Sequence, residues 1–353
     1  MAGRTPDRKG AHVRISLEER VESRSPAGFD DVRLLHNPLP ELGLGDIELG
    51  VRFLGKRLAA PLVITAMTGG FKQAGKINKE IAAAAEAEGI AFGLGSQRAM
   101  IEQPSLAGTY YVRDAAPKTL VLGNIGAAQL KEFPLEKIEW AVAKSEVDAL
   151  AIHLNPLQEA VQREGDKDFG GCLKVIERAC EKLSIPVIAK ETGAGIPAEA
   201  ALRLQEAGVK AVDVSGLGGT SWALVEGYRS PHITGFDDWG IPTVVCIAEA
   251  ARALVIPVIG SGGVRSGLDA AKCIALGAAL AGASLPFLKA WNKGGAEGVR
   301  SLAGLWKRQL RTAMLLTGSR DLEGLRKTRV LVSGKSAELL RARGIEPREY
   351  GMR

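Results

Sequence analysis

From residue 61 onward the chain repeats one unit, a short β-prone run followed by an Ala-rich stretch with helical spacing. That alternation is the pattern of βαβ units, because a parallel strand can pair only after a crossover has carried the chain back. The runs are "PLVITAM", "GIAFGLG", "TLVLGNI", "DALAIHL", "IPVIAKE", "KAVDVSG", "IPVIGSG" and "AALAGAS", and all but the second lead into a clear helical stretch. Eight such units predict an α/β protein, a (β/α)8 TIM barrel. No linker interrupts them, so residues 61–353 read as one barrel domain and residues 1–60 as an N-terminal extension. The 43 glycines, set against an aromatic content of 5%, suit close helix-on-sheet packing and tight turns.

A long connection, Gly216 to Gly240, follows the sixth run. Connections of that length are uncommon without a task; a lid over the barrel mouth is one reading and a disordered linker the other. The four cysteines, Cys172, Cys180, Cys246 and Cys273, are scattered through apolar or helical stretches and read as reduced, buried thiols. The N-terminus "MAGRTPDRKG" has no apolar signal core, and no stretch approaches the ~20 apolar residues of a membrane span. A cytoplasmic protein with no membrane partner is expected. The net charge of +6 is spread along the chain without interleaved aromatics, which favours a small anionic ligand over nucleic acid.

In a barrel of this kind the reacting groups sit at the C-terminal ends of the strands. The polar residues that interrupt the apolar runs fall there. Thr65, Met67 and Thr68 end the first, Ser96, Gln97 and Arg98 the second, and Asn124 the third. His153, Asn155, Gln158 and Glu159 surround a bend at Pro156 after the fourth; Lys190 and Glu191 end the fifth and Ser215 the sixth. All are expected to face one mouth. After the seventh run, "GSGGVRSGLDAAK" places Gly260, Gly262 and Gly263 between a strand and a helix, where bare N–H groups can approach a phosphate. The loops after strands seven and eight are where this fold frequently binds phosphate.

Lys190 ends a buried apolar run, where a cation suffers desolvation unless an anion meets it. It reads as a cation facing the N1 and O2 edge of a flavin, with an ion pair to Glu191 or a Schiff-base lysine as alternatives. For the fourth-strand quartet, one reading is a plain helix start with Asn155 as cap before Pro156. The cap reading leaves His153 and Gln158 without a role.

These residues resemble one family along nearly the whole chain, the type 2 isopentenyl diphosphate isomerases. The matches are "RKGAH" at Arg8, "MTGG" at Met67, "GSQR" at Gly95, "HLNPLQE" at His153, "KETGAG" at Lys190, "SGLGGTSW" at Ser215 and "GSGGVR" at Gly260. Seven strings in order are far more specific than any one. The resemblance implies an isomerase that interconverts isopentenyl and dimethylallyl diphosphate using reduced FMN, with NADPH as reductant and Mg²⁺ as metal. It implies FMN contacts at Ala66, Met67, Thr68, Ser96, Asn124, Lys190, Ser215, Thr220, Gly262, Gly263, Arg265, Ala281 and Gly282. It implies substrate contacts at Arg8, Lys9, His12, Ser96, Arg98, His153, Asn155 and Gln158, magnesium on Glu159, and a homotetramer or homo-octamer. Gln158, His153 and Lys190 are the expected catalytic residues. Without the resemblance, Arg8, Lys9 and His12 read as an ordinary basic tail.

One departure concerns His12. Many members carry an acidic residue just before it, and here Ala11 stands there, so a local carboxylate to hold the imidazole is missing. Trp222 reads either as a cover for the substrate tail or flavin, or as a lid anchor. An FMN-dependent 2-hydroxy-acid oxidase would need a His followed by an Arg after strand six, where this chain offers Ser215, Thr220 and Trp222. A nucleotide dehydrogenase barrel would need a cysteine between Ser215 and Trp222, and none is there. A flavin-binding protein without turnover would have no use for Arg98, His153 and Glu159.

Overall fold

The computed structural model describes residues 5–229 and 233–353. Eight parallel strands close into a barrel in chain order. They are β1 (Leu62–Ile64), β2 (Ala91–Gly93), β3 (Val121–Gly126), β4 (Ala149–Leu154), β5 (Val187–Glu191), β6 (Ala211–Asp213), β7 (Val258–Ser261) and β8 (Leu280–Ala283). Each lies inside one of the eight runs read from sequence, except that β3 extends one residue past its run, to Gly126. The short helix Arg98–Glu102 follows β2, which explains the weak helical signal there.

Pairing is in register across the mouth. Gly126 stands opposite His153, His153 opposite Lys190, and Lys190 opposite Asp213. The ladder thus brings side chains far apart in sequence to one level. At the opposite end, the hairpin of Val51–Phe53 and Lys56–Leu58 inserts Phe53 and Leu58 among Val63, Ala91, Leu122, Ile188 and Ile259. The floor of the barrel is therefore packed apolar surface, and the cavity opens at the mouth.

The extension is tied to the rest of the chain at several points. Val32–Leu34 pairs antiparallel with Val330–Val332. Helix α1 (Thr5–Glu18) carries Arg8, Lys9 and His12 to the mouth. The connection after β6 is not a bare loop, because it folds a helix, Trp222–Arg229, that packs on α1 and on the short helix Pro156–Val161 after β4. Ile15, Val21, Val225 and Leu285 form an apolar cluster between arm and lid, separate from the main core. Backbone bonds from Ser23 to Gly219 (2.9 Å) and from Ser221 to Val21 (2.8 Å) join the two segments. Asp238 Oδ1 accepts from Ser23 Oγ (2.6 Å) and from the N–H groups of Arg24 (2.7 Å) and Ser25 (2.9 Å). Among the described residues no helix is long and apolar enough to cross a membrane. The four cysteines are unpaired thiols, three of them buried.

Candidate active site

A cavity opens at the C-terminal end of the barrel, under α1 and the Trp222–Arg229 helix. Arg8, Lys9, His12, Ala66, Met67, Thr68, Ser96, Arg98, Asn124, His153, Asn155, Gln158, Glu159, Lys190, Ser215, Thr220, Gly262, Gly263 and Arg265 line it, as do Thr65 and Trp222. The structure thus gathers most of the residues expected from sequence in one place.

Five do not line it. Gly260 lies inside β7, opposite Ala281, and a Cβ on it would meet Ile247 and Cys273 on the helix side. Ala281 and Gly282 lie within the β8 ladder, opposite Leu62 and Val63, and Ala283 and Ser284 take the rim instead. Glu191 faces away because strand side chains alternate and Lys190 faces in. Its Oε2 caps the next turn, accepting from the N–H groups of Thr192 (2.5 Å), Gly193 (2.5 Å) and Gly195 (3.2 Å). Burial pushes its carboxyl up to about 6, against those bonds and the Lys190 charge. No Lys190–Glu191 side-chain pair forms: the ammonium bonds the Glu191 carbonyl instead. Gln97 sits behind β3, donating to Ser145 Oγ (2.8 Å) while its Oε1 accepts from the Asn124 N–H (3.0 Å).

On one wall the loop after β7 is bare backbone. Gly262 and Gly263 have φ of 101° and 71°, and a Cβ at Gly262 would lie 2.1 Å from the Gly216 carbonyl. A side chain fits neither the conformation nor the space. Gly262→Ala should therefore weaken flavin binding by at least ~10-fold, read as lost flavin absorbance in the purified protein. Arg265 at this rim is held by Glu22 of the extension, with its Nε 2.9 Å from Oε1. Ser215 adopts a positive φ of 36°, and such strain in a non-glycine residue clusters at functional sites.

The facing wall carries cations and amides. His153 Nδ1 is 2.7 Å from Asn124 Oδ1; an amide oxygen only accepts, so the ring proton lies on Nδ1. Burial, then the charges of Lys190 and Lys9, depress the His153 imidazole to about 3. Burial, then the Arg8 charge, pushes the Lys9 ammonium down to about 7. Asn155 precedes Pro156 but makes no side-chain cap; its amide donates instead to Glu159 Oε1 (3.0 Å). Its own Oδ1 is buried with no partner among the described residues.

Glu226, in the lid helix, was not signalled by any motif. It is buried, and its Oε1 lies 3.0 Å from His12 Nε2 and accepts from Gln158 Nε2 at 2.9 Å. Oε2 accepts from Arg229 Nε (2.6 Å), and the Gln162 amide donates to Oε1 (2.9 Å) while accepting from Arg8 (2.9 Å). Burial alone would raise this carboxyl; His12, Gln158 and Arg229 outweigh it and hold the group at about 2. The carboxylate that Ala11 fails to provide for His12 is thus supplied from the lid. Its only trace in the sequence is an acid inside an otherwise apolar stretch, "WALVEGY".

Comparison with known proteins agrees with this arrangement. Residues 136–332 match a family model described as FMN-dependent dehydrogenase. An isopentenyl-diphosphate delta-isomerase of Methanothermobacter thermautotrophicus is 46% identical over 351 residues, covering 98% of this chain and 99% of that protein. One from Methanosarcina acetivorans is 45% identical and covers 100% of this chain and 99% of its own. The chain belongs to the type 2, FMN-dependent isopentenyl-diphosphate isomerases.

More distant solved structures share the barrel. A mandelate oxidase variant with a C4a-OH-FMN adduct superposes with a TM-score of 0.67 at 18% identity, covering 93% of this chain and 99% of that one. A flavocytochrome b2 mutant with pyruvate gives 0.68 at 18% identity, covering 89% and 81%. At that identity the likeness extends to the fold alone.

The residues fit the groups that the isomerase family implies. The side-chain-free cradle at Gly262 and Gly263 matches a flavin phosphate, with Lys190 in the same cavity as a cation for the ring. Glu159 and the unpartnered Asn155 oxygen are hard donors suited to Mg²⁺, which commonly takes one or two carboxylates and completes its shell with phosphate oxygens and water.

Proposed function

We propose that this protein interconverts isopentenyl diphosphate and dimethylallyl diphosphate at the barrel mouth, with FMN and Mg²⁺ as cofactors and NADPH as the reductant. The observation that carries the reading is one cavity with a phosphate cradle on one wall and Lys9, Arg98, His153, Asn155 and Glu159 on another. A flavin and a diphosphate can share it. Electrostatics favour the anion at Lys9, where burial and the Arg8 charge both destabilise an ammonium that an anionic ligand would compensate.

Moving the double bond requires a proton to reach the terminal methylene carbon and another to leave C2. An alkene is a feeble base, so the site must supply a strong acid in a dry pocket. Reduced FMN, when bound, supplies an acid and base of that kind. The chain's own residues hold the substrate for it. Lys9, Arg98, His153 and Asn155 bind the diphosphate, and Glu159 holds the metal that neutralises it. Gln158, fixed by Glu226, orients the substrate, since a neutral amide is too weak an acid to protonate carbon. Trp222, edge-on to His12 at 5.2 Å, closes the apolar side over the hydrocarbon tail.

The cytoplasm suits a chain with free thiols. Assembly into tetramers or octamers is supported by Tyr228, Phe236 and Trp239, large apolar side chains exposed on the lid segment.

Anaerobic incubation of purified protein with FMN, NADPH, Mg²⁺ and isopentenyl diphosphate should give dimethylallyl diphosphate without net NADPH consumption. NADPH use in step with product would overturn the reading. Because Lys9 must be charged to hold the diphosphate, kcat/KM should fall as pH rises through about 7, reporting the free enzyme.

A further inference from the structure

Tyr110 lies outside the cavity and is fully buried, yet it touches two residues that line it, Ser96 and Lys9. Its hydroxyl donates to the Ser96 carbonyl at 2.7 Å and accepts from Lys9 Nζ at 2.8 Å. Lys9 Nζ also donates to the same Ser96 carbonyl. A phenol has one proton, and with that proton committed to Ser96 its remaining role toward Lys9 is to accept. The ammonium thus has two of its three N–H bonds fixed by the protein.

The same ring explains the paired glycines after β1. A Cβ at Gly69 would lie 2.0 Å from the Tyr110 ring, and one at Gly70 would lie 2.7 Å from its hydroxyl. The chain gives up side chains at both positions to let the ring reach Lys9.

We propose that Tyr110 is a positioning residue for substrate binding, its buried hydroxyl aiming the Lys9 ammonium of the N-terminal arm at the diphosphate. The proposal rests on the reading of this cavity as a prenyl diphosphate site. A lysine on a terminal helix is otherwise a flexible, entropically expensive anchor. The charged and titratable groups facing Lys9 are Arg8 on its own helix, Arg98 and Glu102 on the helix after β2, His153 on β4, and Tyr110 itself. Burial raises the Tyr110 phenol, so it stays protonated across the working range. Loss of its oxygen removes an acceptor from the charged form of Lys9 and leaves the other neighbours in place.

The test uses FMN-loaded enzyme carrying Tyr110→Phe, which keeps the ring against Gly69 and Gly70; flavin absorbance and the melting curve verify folding. KM for isopentenyl diphosphate and Ki for inorganic pyrophosphate should rise about 10-fold with kcat changed less than about 2-fold. The alkaline limb of kcat/KM should move to lower pH by about 0.5–1 unit. Lys9→Met should raise KM at least as far, and adding Tyr110→Phe to it should change KM no further. If Lys9→Met is impaired while Tyr110→Phe keeps the wild-type KM and pH profile, the positioning role is refuted. Additive effects in the double variant would refute it too. Should Lys9→Met itself leave KM and Ki unchanged, the proposal falls together with the diphosphate reading of Lys9, and the two failures are told apart.

Discussion

Glu159→Gln should abolish Mg²⁺-dependent turnover, lowering kcat/KM at least ~100-fold, while the purified protein remains yellow with bound FMN. The change keeps the size of the side chain and removes the anionic ligand; because both carboxylate oxygens accept from N–H groups, the amide also gives up one of those two bonds. Glu159 Oε2 accepts from the Asp166 N–H at 2.8 Å and Oε1 from Asn155, so the carboxylate is held in place before any metal arrives. Without its charge, Mg²⁺ would rest on the Asn155 oxygen and the substrate's own phosphates. Raising the Mg²⁺ concentration should then recover part of the rate. Full activity at ordinary Mg²⁺ would remove Glu159 from the metal site.

Lys190→Ala should weaken binding of reduced FMN about 10–100-fold more than binding of oxidised FMN, measured by titrating each redox state anaerobically. The reduced ring accumulates negative charge, and a buried cation stabilises that state selectively. Lys190 is 8% exposed and lies opposite His153 and Asp213 in the ladder. Asp213 is buried beneath the mouth with its Oδ1 2.5 Å from Ser261 Oγ; burial raises its carboxyl, and the Lys190 charge partly offsets this. Removal of Lys190 takes that offset away, so the Asp213 carboxyl should rise further. Equal weakening of both states would rule out a charge role for this lysine.

The eight strands were readable because each is short, apolar and closed by turn residues, and a helix must separate parallel neighbours. Strand ends were readable to within a residue or two, and the errors lie there. The pleat sends neighbouring residues to opposite faces, so Lys190 and Glu191 could not both enter the cavity. At β8, Ala281 and Gly282 stand in the ladder opposite Leu62 and Val63, one or two residues below Ala283 and Ser284 at the rim. Asn155 before Pro156 looked like a helix cap, but the nearby Glu159 carboxylate took its amide instead.

Other features had no local signal. His12 lacks an acidic neighbour in sequence and finds Glu226 on a helix in the long connection after β6. Nothing near Glu226 or Tyr110 marks either as part of a site. The basic pair Arg8 and Lys9 reaches the cavity because the arm is fastened to the helix after β6 by backbone bonds and a small apolar cluster.

The barrel, the glycine-rich loop after β7 and the identity of most groups around the mouth could be read from local sequence. Those depend on hydrophobic period, turn chemistry and residue type, which act over a few positions of chain. Which carboxylate meets His12, which hydroxyl accepts from Lys9, and that Glu191 and Gln97 turn away became visible only in the folded chain. Such pairings are set by the packing of segments distant in sequence, where burial makes every unpaired polar atom expensive and so dictates its partner.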